Sequence, residues 1–289
     1  MPQSMTSPSL TLPDDIAETV RRALAEDVGN GDLTAALIPE NQTARAQVVT
    51  REDAILCGCA WFDEVFRQLD TRVRIAWKTS DGAAIRAGQV LCQIEGPARA
   101  ILTGERTALN FLQTLSGVAT RTHAYVDAVR GTKAVVLDTR KTVPGLRLAQ
   151  KYAVRCGGGQ NHRLGLYDGI LIKENHIAAA GSITAALDTA KAATKPDVLL
   201  EIEVENFEQL RAALAAGAKR ILLDNFDLAG LCAAVDEAHG RAQLEISGGV
   251  TLANVRALAE TGVDFISIGD LTKNLTAVDL SLRFKKILR

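Results

Sequence analysis

LLEIEVENFEQLRAALAAGAKRILLDNFDLAGLCAAVDEAHGRAQLEISGGVTLANVRALAETGVDFISIGD, residues 199–270, alternates short apolar runs with alanine-rich stretches. The runs LLEIEVEN (199–206), RILLDNF (220–226), LEISGGV (244–250) and FISIGD (265–270) each close on a polar residue or glycine. Two earlier runs do the same, VVLDTRK (135–141) and GILIKEN (169–175). One anchor per run, at 173, 203, 224, 247 and 269, gives spacings of 30, 21, 23 and 22 residues. The runs predict strands, and the patterns between them, such as 207–216 and 252–259, predict helices. Strands alternating with helices at this pitch make βα units and a parallel sheet. Repeated equal units favour a barrel over a doubly wound sheet. A complete (β/α)₈ barrel takes about 250 residues, whereas roughly 140 are available between 135 and 275. An incomplete barrel of six or seven parallel strands is therefore expected. In such folds chemistry gathers at the carboxyl ends of the strands, which selects Arg140, Lys141, Lys173, Glu203, Asp224, Ser247 and Gly269.

Residues 13–116 follow another pattern. Ile16, Val20, Ala23 and Leu24 mark one face of a first helix. The stretches 45–49, 54–56, 73–77 and 90–94 predict strands with turns at Asp81-Gly82 and Ala87-Gly88, and 61–69 and 107–129 predict helices. This is an α/β sandwich-like domain with a meandering sheet, preceded by a flexible tail over 1–12. The barrel is expected over 117–275.

Composition narrows the function. The chain has 289 residues, 47% hydrophobic and 23% charged, which suits a folded globular protein. With 33 basic and 34 acidic side chains, it lacks the basic surplus that general nucleic-acid or anionic-membrane binding needs. No run of 18 apolar residues is present, and the uncharged first ten residues lack the features of a secretory signal. Five scattered cysteines, Cys57, Cys59, Cys92, Cys156 and Cys232, read as reduced structural residues of a cytoplasmic protein. The Cys57-Gly58-Cys59 spacing is too tight for tetrahedral ligation by one loop, and no Cys/His cluster accompanies it in sequence.

Against this neutral background, residues 138–176 hold seven cations and three acids. Arg147, Lys151 and Arg155 fall at helical spacing and are expected on an exposed face. Arg140, Lys141, Arg163 and Lys173 lie at or beside strand ends, where a small polyanionic ligand explains them better than solvation. Arginine forks match carboxylates and lysine suits phosphate. The sign then inverts at Glu203 and Asp224, on consecutive strand ends. These carboxylates suit Mg²⁺ beside a phosphate, or a developing positive charge, or ion pairs with Lys141 and Lys173. Glu201 shares the strand parity of Glu203 and is expected deeper and paired. Ser247-Gly248-Gly249 and Gly269 are placed for a phosphate loop. Gly157-Gly158-Gly159 is expected to turn His162 and Arg163 inward.

These stretches also resemble a known family. GERTALNFLQTLSGVAT (104–120), DTRKTVPGLRLAQKYAVRCGGGQNHRLGLYDGILIKENH (138–176), EIEVEN (201–206), ILLDNF (221–226), SGGV (247–250) and IGDLT (268–272) together resemble the quinolinate phosphoribosyltransferases, over nearly the whole chain beyond the tail. The combination of DTRKTxPGLR with GGGxNHRxGLxD is the specific part. The resemblance implies transfer of phosphoribosyl from phosphoribosyl pyrophosphate to quinolinate with loss of CO₂, giving nicotinate mononucleotide and pyrophosphate, with Mg²⁺. It implies that Arg106, Arg140, His162, Arg163 and Lys173 bind quinolinate. Lys141, Lys173, Glu203, Asp224, Ser247, Gly248, Gly249 and Gly269 would contact phosphoribosyl pyrophosphate. Lys141, Lys173, Glu203 and Asp224 would be the catalytic set, with Glu203 and Asp224 holding Mg²⁺ directly or through water. Lys273 lies where members vary. Arg106 would reach a neighbouring subunit, making a homodimer with composite sites and leaving higher assembly open. The stretch 276–289 would return to the first domain. Rival readings are a relative with another acceptor, a Schiff-base aldolase using Lys173, and a silent phosphosugar-binding protein.

Overall fold

The computed structural model describes residues 10–195 and 198–288; of the expected tail, residues 1–9 lie outside the described residues. In chain order the elements are α1 (Ile16–Val28), β1 (Thr43–Thr50), β2 (Ala54–Ile55), α2 (Cys59–Leu69), β3 (Arg74–Trp77), β4 (Ala84–Ile85), β5 (Val90–Pro97) and α3 (Ala98–Ala128). They continue with β6 (Val135–Leu137), α4 (Arg147–Cys156), β7 (Gly169–Ile172), α5 (Glu174–Ala180), α6 (Ile183–Ala193), β8 (Leu199–Val204), α7 (Phe207–Ala215) and β9 (Arg220–Leu223). The last are α8 (Leu228–Ala238), β10 (Gln243–Ser247), α9 (Val255–Glu260), β11 (Phe265–Ser267), α10 (Asp270–Lys273) and β12 (Leu280–Leu288).

The chain divides into two compact units. One holds the residues up to Arg121, then Val143–Gly158, and the residues from Leu275 on; the other holds Thr122–Thr142 and Gly159–Asn274. The barrel region is thus not the single stretch 117–275 expected, because 143–158 belongs with the first unit.

In the first unit the antiparallel order is β12-β1-β5-β3, and β2 pairs with β4 as a separate ribbon. This corrects the meander. Ala44, Ala46 and Val48 of β1 are buried at period two, and β1 has β5 on one side and β12 on the other. The two-residue strands β2 and β4 are too short to extend that sheet. Helix α3 starts nine residues before the predicted 107. Gly104 reads as a breaker, yet it is a close approach: a Cβ there would lie 2.7 Å from the Phe66 ring of α2. Helix α4 is not an exposed face either. Lys151 is 1% exposed and Arg147 and Arg155 are half-buried. Tyr152 donates to Asp81 Oδ2 at 2.9 Å, and Arg155 Nη2 to the Thr11 carbonyl at 2.5 Å. Folding also brings Cys57, Cys156 and Asp81 within 4.8 Å of one another, a grouping the sequence spacing hides. Burial, with Cys156 adjacent, pushes the Cys57 thiol well above the usual thiol range, which keeps it inert.

The second unit is the expected incomplete barrel, with six parallel strands in the order β6-β11-β10-β9-β8-β7. Every neighbouring pair of a six-membered ring is made except β6 with β7. At that open edge Gln160 extends the ladder, donating to Val136 O at 2.9 Å and accepting from Asp138 N at 3.2 Å. The strand cores include Ile202, Ile221, Ile246 and Ile266, each at most 3% exposed; each such side chain stabilises by about 1.5–3 kcal/mol. Polar residues that close the runs start the next helices. Asn206 accepts from Gln209 N at 3.0 Å and Asp227 from Gly230 N at 2.7 Å, caps that contribute about 1 kcal/mol each. These caps pin the turn after each strand and so place the side chains just before it.

Candidate active site

The carboxyl ends of these strands collect the charges singled out above. Past β6, Arg140 and Lys141 are exposed. The Lys141 backbone is fixed on both sides, its N–H donating to Thr139 Oγ1 at 3.0 Å and its carbonyl accepting from Thr272 Oγ1 at 2.7 Å. Its aliphatic stem crosses Gly269, where a Cβ would stand 2.8 Å from Lys141 Cδ. Glycine at 269 thus brings Lys141 over the loop after β11.

The segment after Gly159 is held by Asp138, which is fully buried at the end of β6. Asp138 accepts Asn161 Nδ2 at 2.6 Å and the His162 backbone N–H at 2.9 Å. The His162 ring turns to the barrel interior: Nε2 meets Glu201 Oε2 at 2.8 Å, and Nδ1 accepts the Arg163 backbone N–H at 2.7 Å. Both ring nitrogens are therefore engaged within the chain. Arg163 Nη1 donates to the Gly169 carbonyl at 3.1 Å. Burial first, and then the neighbouring Arg140 charge, holds the Arg163 guanidinium below its ordinary value. Two cations close enough to repel, at the mouth of a barrel, are arranged for an anion. Asp168 closes the same loop, accepting Leu164 N at 2.7 Å and Gly165 N at 2.8 Å.

Lys173 follows β7 directly, and its Nζ meets Glu203 Oε2 at 2.6 Å. Asp224 follows β9 and accepts Asn225 Nδ2 through Oδ2 at 3.1 Å. Its Oδ1 lies toward Gly248, 3.8 Å from where a Cβ would be. Gly248 and Gly249 both have positive φ, 90° and 62°, a left-handed turn that glycine adopts without strain. A cavity of about 100 Å³ beside it is lined mostly by apolar residues, Leu223, Phe226, Leu231, Ile246 and Leu258, with Asn225, Ser247 and Gly248. Two hard carboxylates on adjacent strand ends beside this turn fit a hydrated Mg²⁺ shared with a phosphate. A larger cavity of about 450 Å³ lies at the opposite ends of the strands, lined by Lys191, Lys195, Lys219 and Arg220 among others; the fold points away from it, because barrel chemistry gathers at the carboxyl ends.

Beneath the mouth is a second polar layer. Glu201 and Glu245 are fully buried. Arg220 reaches between them, Nε to Glu201 Oε1 at 3.2 Å and Nη2 to Glu245 Oε2 at 2.5 Å, with its guanidinium 3.8 Å over the Phe265 ring. Ser267 donates to the other Glu245 oxygen. Burial, and then the Glu201 charge, pushes the Glu245 carboxyl up to about 7. Glu201 was expected deep and paired, and it is. Glu245 was missed although it has the inward parity of Ser247 two residues on; Asp138 and Thr272 lie in quoted motifs without a role being drawn from them, and Arg220 carries no signal in the sequence.

Arg106 is exposed on α3 of the first unit. Among the described residues no helix is long and apolar enough to cross a membrane.

Comparison with known proteins identifies the family. Residues 32–116 match the quinolinate phosphoribosyl transferase N-terminal domain and residues 118–283 its C-terminal domain. The chain is 46% identical over 278 residues to the nicotinate-nucleotide pyrophosphorylase [carboxylating] of Mycobacterium leprae, covering 93% of this chain and 97% of that one. It is 44% identical over 257 residues to the probable carboxylating enzyme of Bacillus subtilis, with 89% of each covered. The solved nicotinate-nucleotide pyrophosphorylase of Francisella tularensis superimposes with a TM-score of 0.90 at 47% identity, covering 95% of this chain and 98% of that one. A two-domain match of this extent, over a barrel mouth built for anions, makes the chain a member of the quinolinate phosphoribosyltransferase family.

Proposed function

We propose that this protein carries out the reaction for which its family is named: phosphoribosyl transfer from phosphoribosyl pyrophosphate to quinolinate with decarboxylation, a step of NAD biosynthesis. The observation that carries this reading is that one barrel holds both the Arg140–Arg163 pair and the Lys173–Glu203 ion pair, with Arg140, Lys173 and Glu203 at the carboxyl ends of strands. Arginine forks match the carboxylates of a pyridine dicarboxylate, and lysines match a polyphosphate.

In this reading Arg140 and Arg163 hold the carboxylates and orient the ring nitrogen. Arg106 of a second subunit completes the clamp, so the working unit is a homodimer. His162 acts as the brace of Arg163, because its own ring nitrogens are already engaged. Lys141, Ser247, Gly248, Gly249 and Gly269 hold the phosphates. The ring nitrogen gives its lone pair to the ribose C1 as the C1–O bond to pyrophosphate breaks, with both electrons leaving on the pyrophosphate oxygen. Glu203 and Asp224 balance the positive charge that develops on the sugar, and Lys173 and Lys141 balance the negative charge on the leaving group. Mg²⁺, when held by Glu203 and Asp224 directly or through water, supplies further neutralisation of pyrophosphate. The ring, now cationic, lets the C2–carboxylate bond break. The electron pair stays at C2, beside the positive nitrogen, until a proton replaces CO₂. Orientation is the protein's main contribution to this second step. The free cysteines among the described residues support a cytoplasmic location.

The test is product analysis by mass spectrometry with quinolinate, phosphoribosyl pyrophosphate and Mg²⁺, run beside nicotinate. Nicotinate mononucleotide from quinolinate alone is expected. No product from either acceptor would move the reading to a relative with another acceptor.

A further inference from the structure

The buried glutamate one strand-turn below Glu203 has no part in the reaction as described so far. Glu201 is fully buried on β8, and a carboxylate is costly to bury unless it is paired. It is paired through Oε2 to His162 Nε2 at 2.8 Å and through Oε1 to Arg220 Nε at 3.2 Å, with the Glu245 carboxyl also bonded to it. Because His162 Nδ1 accepts the Arg163 backbone N–H at 2.7 Å, that nitrogen carries no proton. The ring proton therefore sits on Nε2 and is donated to Glu201. The imidazole is thus locked from both sides, and the backbone of the same residue is tied to Asp138 at 2.9 Å. Arg163 then starts from a fixed N–H and is held again at its guanidinium by the Gly169 carbonyl.

We propose that Glu201 is a positioning residue for the dicarboxylate site, holding His162 in one tautomer and one orientation and, through it, the Arg163 fork. This rests on the reading that Arg163 binds quinolinate. Glu245 is the natural contrast. It lies in the same buried layer, bonded to Arg220 and Ser267, but its Oε1 stands 3.6 Å from His162 Nε2, beyond hydrogen-bond reach. A merely structural role would make the two glutamates equivalent in kinetics. A positioning role separates them.

Full-length Glu201→Gln, Glu245→Gln, His162→Gln, the Glu201/His162 double variant and Arg163→Ala are assayed for KM of each substrate and for thermal midpoint. Glu201→Gln raises KM for quinolinate about tenfold or more and leaves KM for phosphoribosyl pyrophosphate within about twofold, since a small misplacement of a clamp acts on the group it clamps. Glu245→Gln shifts the thermal midpoint and leaves both KM values nearly unchanged. The double variant loses no more than His162→Gln alone, because the two changes interrupt one chain of contacts. Should Glu201→Gln fold poorly, Glu201→Asp keeps the charge and shortens the reach, and gives the same split at smaller size. Equal rises in both KM values, matching behaviour of the two glutamates, or additive losses in the double variant would each overturn the proposal. Arg163→Ala separates the two levels. If it raises quinolinate KM and Glu201→Gln does not, Glu201 alone is misassigned; if it does not, the reading of the clamp fails with it.

Discussion

The mouth of the barrel and the layer directly beneath it use the same residue types for opposite ends. At the mouth, Arg140 and Lys141 are exposed, Arg163 and Arg140 repel each other, and Asp224 is held through one oxygen by its own neighbour. One turn of strand below, Arg220 is sandwiched by Glu201 and Glu245 and capped by the Phe265 ring. The difference is burial of the carboxylates: Glu201 and Glu245 are fully buried, whereas Arg140 and Lys141 are exposed. Buried charges must be paired internally or they cost several kcal/mol each. In the proposed function the charges at the mouth serve binding, while the pairs beneath hold the fold.

That contrast can be broken by experiment, and the largest effect is expected below. Arg220→Ala leaves two buried carboxylates without their cation and should cost about 3–5 kcal/mol of stability, read as a drop in the denaturant midpoint. A loss under 1 kcal/mol would mean that water reaches this layer. Next, Glu203→Gln should lower kcat by about 10²–10³-fold, the scale of losing one preorganised electrostatic group, with the thermal midpoint barely moved. Arg140→Ala should raise KM for quinolinate about 10–100-fold, as one charge-assisted pair is lost, and leave phosphoribosyl pyrophosphate binding alone; equal weakening of both would remove that arginine from the dicarboxylate. If the mouth borrows Arg106 from a second subunit, mixing Arg106→Ala with Lys173→Ala chains should restore roughly a quarter of wild-type activity in randomly mixed dimers. Verified mixed dimers without activity would confine Arg106 to its own chain.

The smallest effect is a pH dependence. Glu245 is raised from 4.5 to about 7 in the folded state, so between those values the native state holds a proton that the unfolded chain has released. Stability then falls as pH rises through that window and levels off above it. Glu245→Gln should flatten this slope in thermal midpoints measured from pH 5 to 8, leaving the carboxylates at the mouth out of the account. An unchanged slope would assign the titration elsewhere.

Much of the mouth was legible in residue order. Lys173, Glu203, Asp224 and Ser247 each end or directly follow an apolar run, and a strand end in a barrel faces one side of the molecule by construction. Their pairing was less legible. Pairing of Lys173 with Glu203 was one of three roles open to that carboxylate, and only the β7–β8 register brings the two together. His162 was open to acting as a base, donating to a carboxylate or being buried, with ligand binding implied by the resemblance, and nothing in GGGQNHR says that its ring meets a glutamate 39 residues on. The helix at 147–156 misled for a similar reason: its cations have the spacing of a solvent face, but Lys151 is buried.

Residue order alone settled the periods and the polarity of each run, because strand alternation and helix amphipathicity are written within ten residues of chain; it left the strand count at six or seven, and the fold has six. It also placed the site at one end of the strands. The tertiary fold decided which charges share a layer: Glu201, Arg220, Glu245 and His162 come from four segments, joined only when β8, β9 and β10 align in register. Such alignment is set by the packing of the whole sheet, and a shift of one residue would turn each of these side chains to the opposite face.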